Sequence, residues 1–422
     1  MFQATPRFVS RIELIVIEYS ESAKVKTSEG AYSWVVACLS LLMTSLSFGA
    51  VTSVPILMKP MSDELFWSRG KLSLVHTAAL VGAAVGSLVI GYASDRMNFL
   101  RLALLAAISI GAGLLIASRA DEFWQIALAY GILVGGIGQG TFFSPITAAA
   151  SRWFDHNRTY AIAIVTCGQG VGGIVVPLIL RDMALHNGWR SALLNYGIAS
   201  TAVIGLASLV FIREPPITSA SIEPETEQQP STNWFTYYFA MAHFAVCSIG
   251  SFLFIGHFMI FCEESAIDPF TSSALMSSTL GATIVSRLAA GYLLKSIDSS
   301  RVILASNLII AIGIMVVAFS EQSVFLISTG AAIFGIGFGA AFPAYGTSAR
   351  ANFPARQFGF WLATMWCLSF ICAGFGSWAG GLFRDALGNY KTGFAFASGL
   401  ILAGSLVAQP LLYATRKQQF KG

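Results

Sequence analysis

Residues 270–294 read FTSSALMSSTLGATIVSRLAAGYLL, an apolar run of membrane-crossing length that holds a guanidinium, Arg287, inside it. A helix needs about 20 mostly apolar residues to cross roughly 30 Å of hydrocarbon. An Arg at the centre of such a span costs about 2.5–3.5 kcal/mol on insertion scales, so an ionisable residue there points to function. Arg287 lies seven residues before Leu294, roughly 10 Å of helix, which is within snorkelling reach of the nearer membrane face. Every Asp and Glu falls in a predicted loop, tail or helix end, so the chain offers Arg287 no mid-span carboxylate. The pattern predicts an anionic substrate as its partner. Snorkelling, backbone carbonyls and a helix dipole are the structural alternatives.

The rest of the composition agrees with a membrane solvent. Hydrophobic residues make up 55% of the 422 and charged residues 11%, with mean hydropathy +0.69. Soluble domains are about a quarter charged, so a polytopic membrane protein is expected. The net charge of +4 is spread over short loops, which excludes a nucleic-acid surface. The six cysteines form no C-x-x-C pair and read as small buried hydrophobes, with no metal site and no cofactor expected. Residues 168–173, GQGVGG, match G-x-G-x-x-G literally, but no strand precedes them and they lie inside a span. Gly168 and Gly172, like Gly82 and Gly86, fit close helix packing in lipid instead. No Walker A loop and no nucleophile–base set is present, so neither a pump driven by ATP nor an enzyme is expected.

Apolar runs fall near 33–57, 71–94, 100–118, 123–150, 159–180, 189–212, 234–261, 270–294, 301–319, 324–349, 357–382 and 392–412. They predict twelve membrane helices. The one long polar interruption, 213–233, is rich in Pro and Glu and reads as a disordered cytoplasmic linker. The expected organisation is a tail at 1–30 without a secretory leader, six-helix bundles at 31–212 and 234–412, and a tail at 413–422. Placing both termini in the cytoplasm puts sixteen Lys and Arg inside and eight outside, the usual bias. The two halves also echo one another about 200 residues apart. Gly91-Tyr92 recurs as Gly291-Tyr292, and GIGQGTFFSP at 136–145 as GIGFGAAFP at 335–343. Parallel repeats predict a substrate site between the halves, near the midplane.

GYASDRMNFLR at 91–101 resembles the G-x-x-x-D-R-x-G-R-R signature of the major facilitator superfamily through Gly91, Asp95, Arg96 and a displaced Arg101. The resemblance implies a cytoplasmic latch, with Gly91 allowing close helix approach and Asp95 bonding a neighbouring helix N-terminus. Asn98 stands where the second Gly is usual, a substitution that tolerates a left-handed backbone. EGAYSW at 29–34, RWFDHNRTYAIAIVTCGQGVGG at 152–173 and GLFRDALGNYKTGFAF at 381–396 are similar to segments of the monocarboxylate transporter family, which also contains bacterial oxalate–formate antiporters. The likeness spans about residues 29–412. It implies an anion-binding Arg at 287 and a substrate-side His at 257. It departs at Ala163, where Gly is usual; at Thr283, where that family carries an Asp linked to proton coupling; and at Thr52, where lactate carriers often have Lys.

Phe338, Phe342 and Tyr345 recur at i, i+4 and i+7, one helical face. Gln139 and Phe143 hold repeat-equivalent places in the fourth helix, and Gln169 and Trp366 are further candidates on the fifth and eleventh. These residues, with Arg287 and His257, make the expected substrate site. His243 and His257 are the proton-handling candidates, since His titrates near neutrality and no mid-span carboxylate exists. The expected function is alternating-access transport of a small organic anion by a monomer in a bacterial inner membrane, with protons as a possible coupling ion. A carrier of a larger planar solute such as riboflavin, a metabolite or drug exporter, and a sensor built on the transporter fold are the alternatives.

Overall fold

The computed structural model describes residues 29–94, 96–154, 157–215, 234–321, 323–352 and 355–419, and they are almost wholly helical. The helices are α1 (Ala31–Leu65), α2 (Arg69–Ser94), α3 (Phe99–Arg119), α4 (Phe123–Leu128), α5 (Ser144–Ser151) and α6 (Arg158–Ser208) in the first half. The second half has α7 (Trp234–Glu264), α8 (Pro269–Leu293), α9 (Ser299–Ala318), α10 (Val324–Asn352), α11 (Ala355–Leu387) and α12 (Lys391–Gln419). In lipid every backbone polar group must be satisfied within its own segment, which is why apolar sequence resolves into helix here. To within about two residues, ten of the twelve expected runs each lie in one of these helices; 123–150 is divided among several elements, and 189–212 runs past the end of α6 into a short 3-10 turn, Leu209–Ile212.

Among the described residues nine helices are long and apolar enough to cross a bilayer, not twelve. The difference has local causes. One of the nine, Tyr160–Ile212, is two arms joined at Gly188, whose φ of 79° and ψ of 158° interrupt the helix. Only Gly takes that conformation without strain. Helix α8 carries five Ser, three Thr and Arg287, which lower its hydropathy, and the described apolar part of the last helix is the short stretch Lys391–Val407.

The fourth span is the irregular one. Between α4 and α5 the chain winds as a π-helix over Ala129–Gln139. Gly131 and Gly136 there lie directly against Gly82 and Gly86 of α2, with backbone touching backbone. The π-helical winding ends at Gln139, the chain breaks at Phe143, with φ −103° and ψ −90°, and α5 restarts with Pro145 in its first turn, where a missing N–H costs nothing. Its sequence echo at 335–343 instead runs unbroken through α10, with Pro343 inside the helix.

In the first half α1 packs along α6, and α2 and α3 pack on the π-helical segment; in the second, α9 packs on α10 and α12, and α7 on α11. The halves also touch where α1 meets α7, but their two main contacts are α2 with α11 and α6 with α8. They are counterparts under the repeat and form the walls of one seam. Gly168 and Gly172 press against α1 at Leu41 and Ser45, as the small-residue spacing predicts. Gly170 and Gly173 meet Ile284 and Leu280 of α8 across the seam.

Two expectations about the 91–101 stretch are corrected. A Cβ on Gly91 would meet nothing within 4 Å, so among the described residues no helix packs closely against it. Asn98 has φ −61°, an extended rather than left-handed backbone, and its side chain caps α3 by accepting from the Leu100 N–H at 2.9 Å. Asp95, residues 1–28 and most of the 213–233 segment lie outside the described residues.

Candidate functional site

Arg287 reaches the seam because of where α8 begins. Asp268 caps that helix, its carboxylate accepting from the N–H groups of Phe270 and Thr271 at 3.1 and 3.0 Å, and Pro269 sets the first turn. The cap leaves Arg287 in the last third of the helix, on the side that meets α6. Its Nη1 donates to the Thr166 carbonyl of α6 at 3.1 Å, and its guanidinium lies 5.1 Å from the Phe342 ring centroid. Nε is enclosed without a partner. No Asp or Glu among the described residues pairs with Arg287, so the charge is held by one carbonyl and one ring face.

An aromatic wall continues from the guanidinium. Phe342 is 4.8 Å from Trp366 of α11, Trp366 is 5.6 Å from Phe143, and Phe143 is 4.9 Å from Phe370. Phe143 belongs to the first half and the other three to the second. The break before α5 delivers the Phe143 ring across the seam. Phe338 extends the wall from Phe342 at 4.9 Å and stacks on buried Phe334 at 5.4 Å. Gln169, partly buried, follows Thr166 by three residues on α6, on the same helical face.

Three candidates are placed elsewhere. Gln139 is buried within the first half, where its Oε1 accepts from Ser47 at 2.7 Å. Tyr345 is 1% exposed; its ring stacks on Phe244 at 4.2 Å, and its hydroxyl accepts from Asn307 and lies 2.9 Å from His243 Nδ1. With Asn307 donating to it, the hydroxyl donates in turn to His243, an arrangement that locks the three side chains into the second half. His257 is fully buried at the α2–α11 wall. Its Nε2 lies 2.8 Å from the Ser377 carbonyl and 3.1 Å from Ser73 Oγ, and its Nδ1 is 3.3 Å from the Tyr390 hydroxyl. The carbonyl can only accept, which places the proton on Nε2.

Sequence reasoning missed several participants. His76 of α2 is buried in the same wall, with Nδ1 2.9 Å from Ser377 Oγ, so two imidazoles from opposite halves share one serine. Phe370 was legible as i+4 from Trp366, whereas the Thr166 carbonyl carries no side-chain signal. Arg181, expected in a loop, is buried near the end of the first arm of α6 and bonds Glu263 of α7 at 2.6 Å. Lys59 reaches Glu263 at 3.8 Å, Arg69 reaches Glu264 at 3.5 Å, and Asp385 accepts from the backbone N–H groups of Arg69 and Gly70. These contacts pin the halves together at the face that carries the 65–69 turn.

The segments singled out by resemblance also meet in space. Asn157 donates its backbone N–H to Glu29 at 2.8 Å, and Trp34 packs edge-on against Phe154 at 5.0 Å, so the 29–34 and 152–173 stretches form one unit. The 381–396 stretch supplies Asp385 and Tyr390 to the pinned face. A family model described as Major Facilitator Superfamily matches residues 37–263, more than half of the chain.

The chain belongs to the Major Facilitator Superfamily. This facilitator is 21% identical over 387 residues to monocarboxylate transporter 13 of Bos taurus, covering 90% of each chain. It is 23% identical over 283 residues to the MFS-type transporter pytF of Aspergillus terreus, covering 66% of this chain and 95% of that one. Among solved structures it superimposes on a bacterial homologue of the human lysosomal transporter Spinster with TM-score 0.69 at 17% identity, over 92% of this chain and 98% of that one. The structural likeness establishes the fold. The facilitator is therefore a multi-pass membrane protein of a transporter family, related to proteins named monocarboxylate transporters.

Proposed function

We propose that this facilitator carries a small organic monoanion across the bilayer by alternating access, with the carboxylate held by Arg287. The observation behind this reading is the seam position of Arg287, which bonds one carbonyl, faces one ring and leaves Nε enclosed and unpaired. A planar guanidinium with free donors matches a carboxylate in a bidentate fork. The other described Lys and Arg lie at helix ends or faces, which favours a monoanion over a dianion. The monocarboxylate transporter 13 relative supports the same class.

The protein acts as a transporter rather than an enzyme, with the 31–212 and 234–412 bundles rocking about the seam and 213–233 linking them. The Lys and Arg bias supports cytoplasmic termini, in a bacterial inner membrane, with the chain working as a monomer. Of the two histidines, His257 sits at the seam and His243 inside the second half, so a coupling proton is assigned to His257.

Ligand-induced thermal stabilisation of the purified protein, wild type and Arg287→Gln, against monocarboxylates, dicarboxylates and riboflavin tests the reading. Selective binding raises Tm by mass action. A monocarboxylate that stabilises only the wild type is the expected result. Equal stabilisation of both proteins removes Arg287 from the site.

A further inference from the structure

We infer that the transported anion bears a planar aromatic group, an aryl- or indolyl-substituted carboxylic acid, seated on the wall formed by Phe342, Trp366, Phe143 and Phe370. The inference rests on the reading of Arg287 as the carboxylate anchor and names the class of substrate that anchor serves.

Exposure separates these rings from packing rings. Phe254, Phe334 and Phe394 are fully buried and Phe244 is 4% exposed, as interior aromatics should be. Phe143, Phe342, Trp366 and Phe370 are each only partly buried, although they lie at the seam, Phe143 at the break before α5 and the other three within long helices. Arg287, Thr166, Cys167 and Gln169 beside them are partly buried too. Accessible surface inside the seam, apolar on one side and cationic at one end, is what an amphipathic aromatic acid requires.

Reach agrees with this. From the guanidinium to Phe342 is 5.1 Å and from Phe342 to Trp366 a further 4.8 Å. An acid of two or three carbons held on Arg287 ends beside Phe342, whereas an aryl or indolyl ring extends to Trp366. Phe143 meets its neighbours edge to face, at 75° for Trp366 and 89° for Phe370, while Trp366 lies tilted at 31° to Phe342 and 32° to Phe370, which leaves ring faces and edges to receive another aromatic plane. A short hydroxy acid finds little to bond. Thr283 is buried with its hydroxyl donated to the Leu280 carbonyl, and Thr52 donates to the Phe48 carbonyl. A hydroxyl set against the ring wall loses its water without a replacement partner.

The wall also spans the seam. Phe143 comes from the first half, while Trp366 and Phe370 come from the second. An aromatic ring lodged among them contacts both halves, so its binding reports on the approach that alternating access requires.

Counterflow into proteoliposomes measures this with acetate, lactate, pyruvate and succinate against phenylacetate, phenylpyruvate and indole-3-acetate. The proteins are wild type, Arg287→Gln, Trp366→Leu, Trp366→Phe and Phe370→Leu. Wild type is expected to favour the aromatic acids by at least about tenfold in kcat/KM. Trp366→Leu and Phe370→Leu each lower aromatic transport about two- to tenfold, the range of one aromatic pair, and lower transport of the short acids less, so that the ratio of aromatic to short-acid transport falls. Trp366→Phe retains most of the preference, which separates ring recognition from misfolding. Short acids carried as well as aromatic ones, still dependent on Arg287, overturn the aromatic inference and leave the anchor standing. Aromatic acids carried equally by Arg287→Gln overturn the anchor itself, and a wild type that carries none of the panel overturns both.

Discussion

At the scale of single residues, Arg287 divides the roles of charge and shape. Arg287→Lys keeps the charge but loses the planar fork. Its expected kcat/KM lies between wild type and Arg287→Gln, and the latter falls about 10- to 150-fold, as for a charged hydrogen bond worth about 1.5–3 kcal/mol; initial rates in vesicles give the order. Cys167 follows Thr166 on α6 and lies within electrostatic reach of the guanidinium. An anionic thiol reagent is therefore expected to modify Cys167, and a transported carboxylate to slow that modification. Labelling of Cys167 that no carboxylate slows would separate this thiol from the path. The guanidinium was visible in the sequence because a charge inside an apolar run has few structural explanations. Its actual contacts, a backbone carbonyl and one ring, belong to other helices and have no local signature.

At the scale of helices, small residues divide into those that touch a neighbour and those that do not. Gly82 and Gly86 face backbone of the π-helical segment, and Gly172 faces backbone of α1. Substituting Val at any of them overpacks the contact and costs about 1–3 kcal/mol, seen as a lower Tm or lost expression. Gly91→Ala is silent to within about 0.5 kcal/mol or stabilising, because nothing lies near it and Ala is the better helix former. A large loss at Gly91 would show a contact this conformation lacks. Asp268 supplies a pH signal at the start of α8. Its bonds from Thr271 and Phe270 hold the carboxyl below its usual range. Because the folded value is lowered, the cap's contribution is present above the ordinary carboxylate range and fades as pH falls through the lowered value. Asp268→Ala is expected to lower Tm near neutrality and to remove that acid-side loss; a Tm difference that persists unchanged into strong acid would contradict it. The helical runs were legible from period and length, while the π-helical winding was not, since its sequence echo at 335–343 forms ordinary helix.

At the scale of the whole molecule, the pinned face sets the conformational balance. Arg181 and Glu263 are both buried and bridge the halves at 2.6 Å. Removing one partner of such a pair costs about 3–5 kcal/mol in the conformation that buries it. Glu263→Gln therefore shifts the population towards separation at the 65–69 face. Spin labels at positions 122 and 321, in loops of opposite halves on that face, should then report a longer distance. An unchanged distance distribution would assign the pair to stability alone. Ser73, His76, His257 and Ser377 lie in the same wall, so substitutions there act on the same balance.

The amino-acid sequence alone determined the helical membrane class, the division into related halves and the presence of a mid-span guanidinium. Each follows from composition or from spacing along one chain. Only tertiary structure decided which rings stand beside that guanidinium, that Tyr345 and Gln139 are tied up elsewhere, and that His76 and Arg181 belong to the seam. Those facts depend on pairings such as α2 with α11 and α6 with α8, between residues far apart in sequence, and hydrophobic periodicity carries no information about which faces meet.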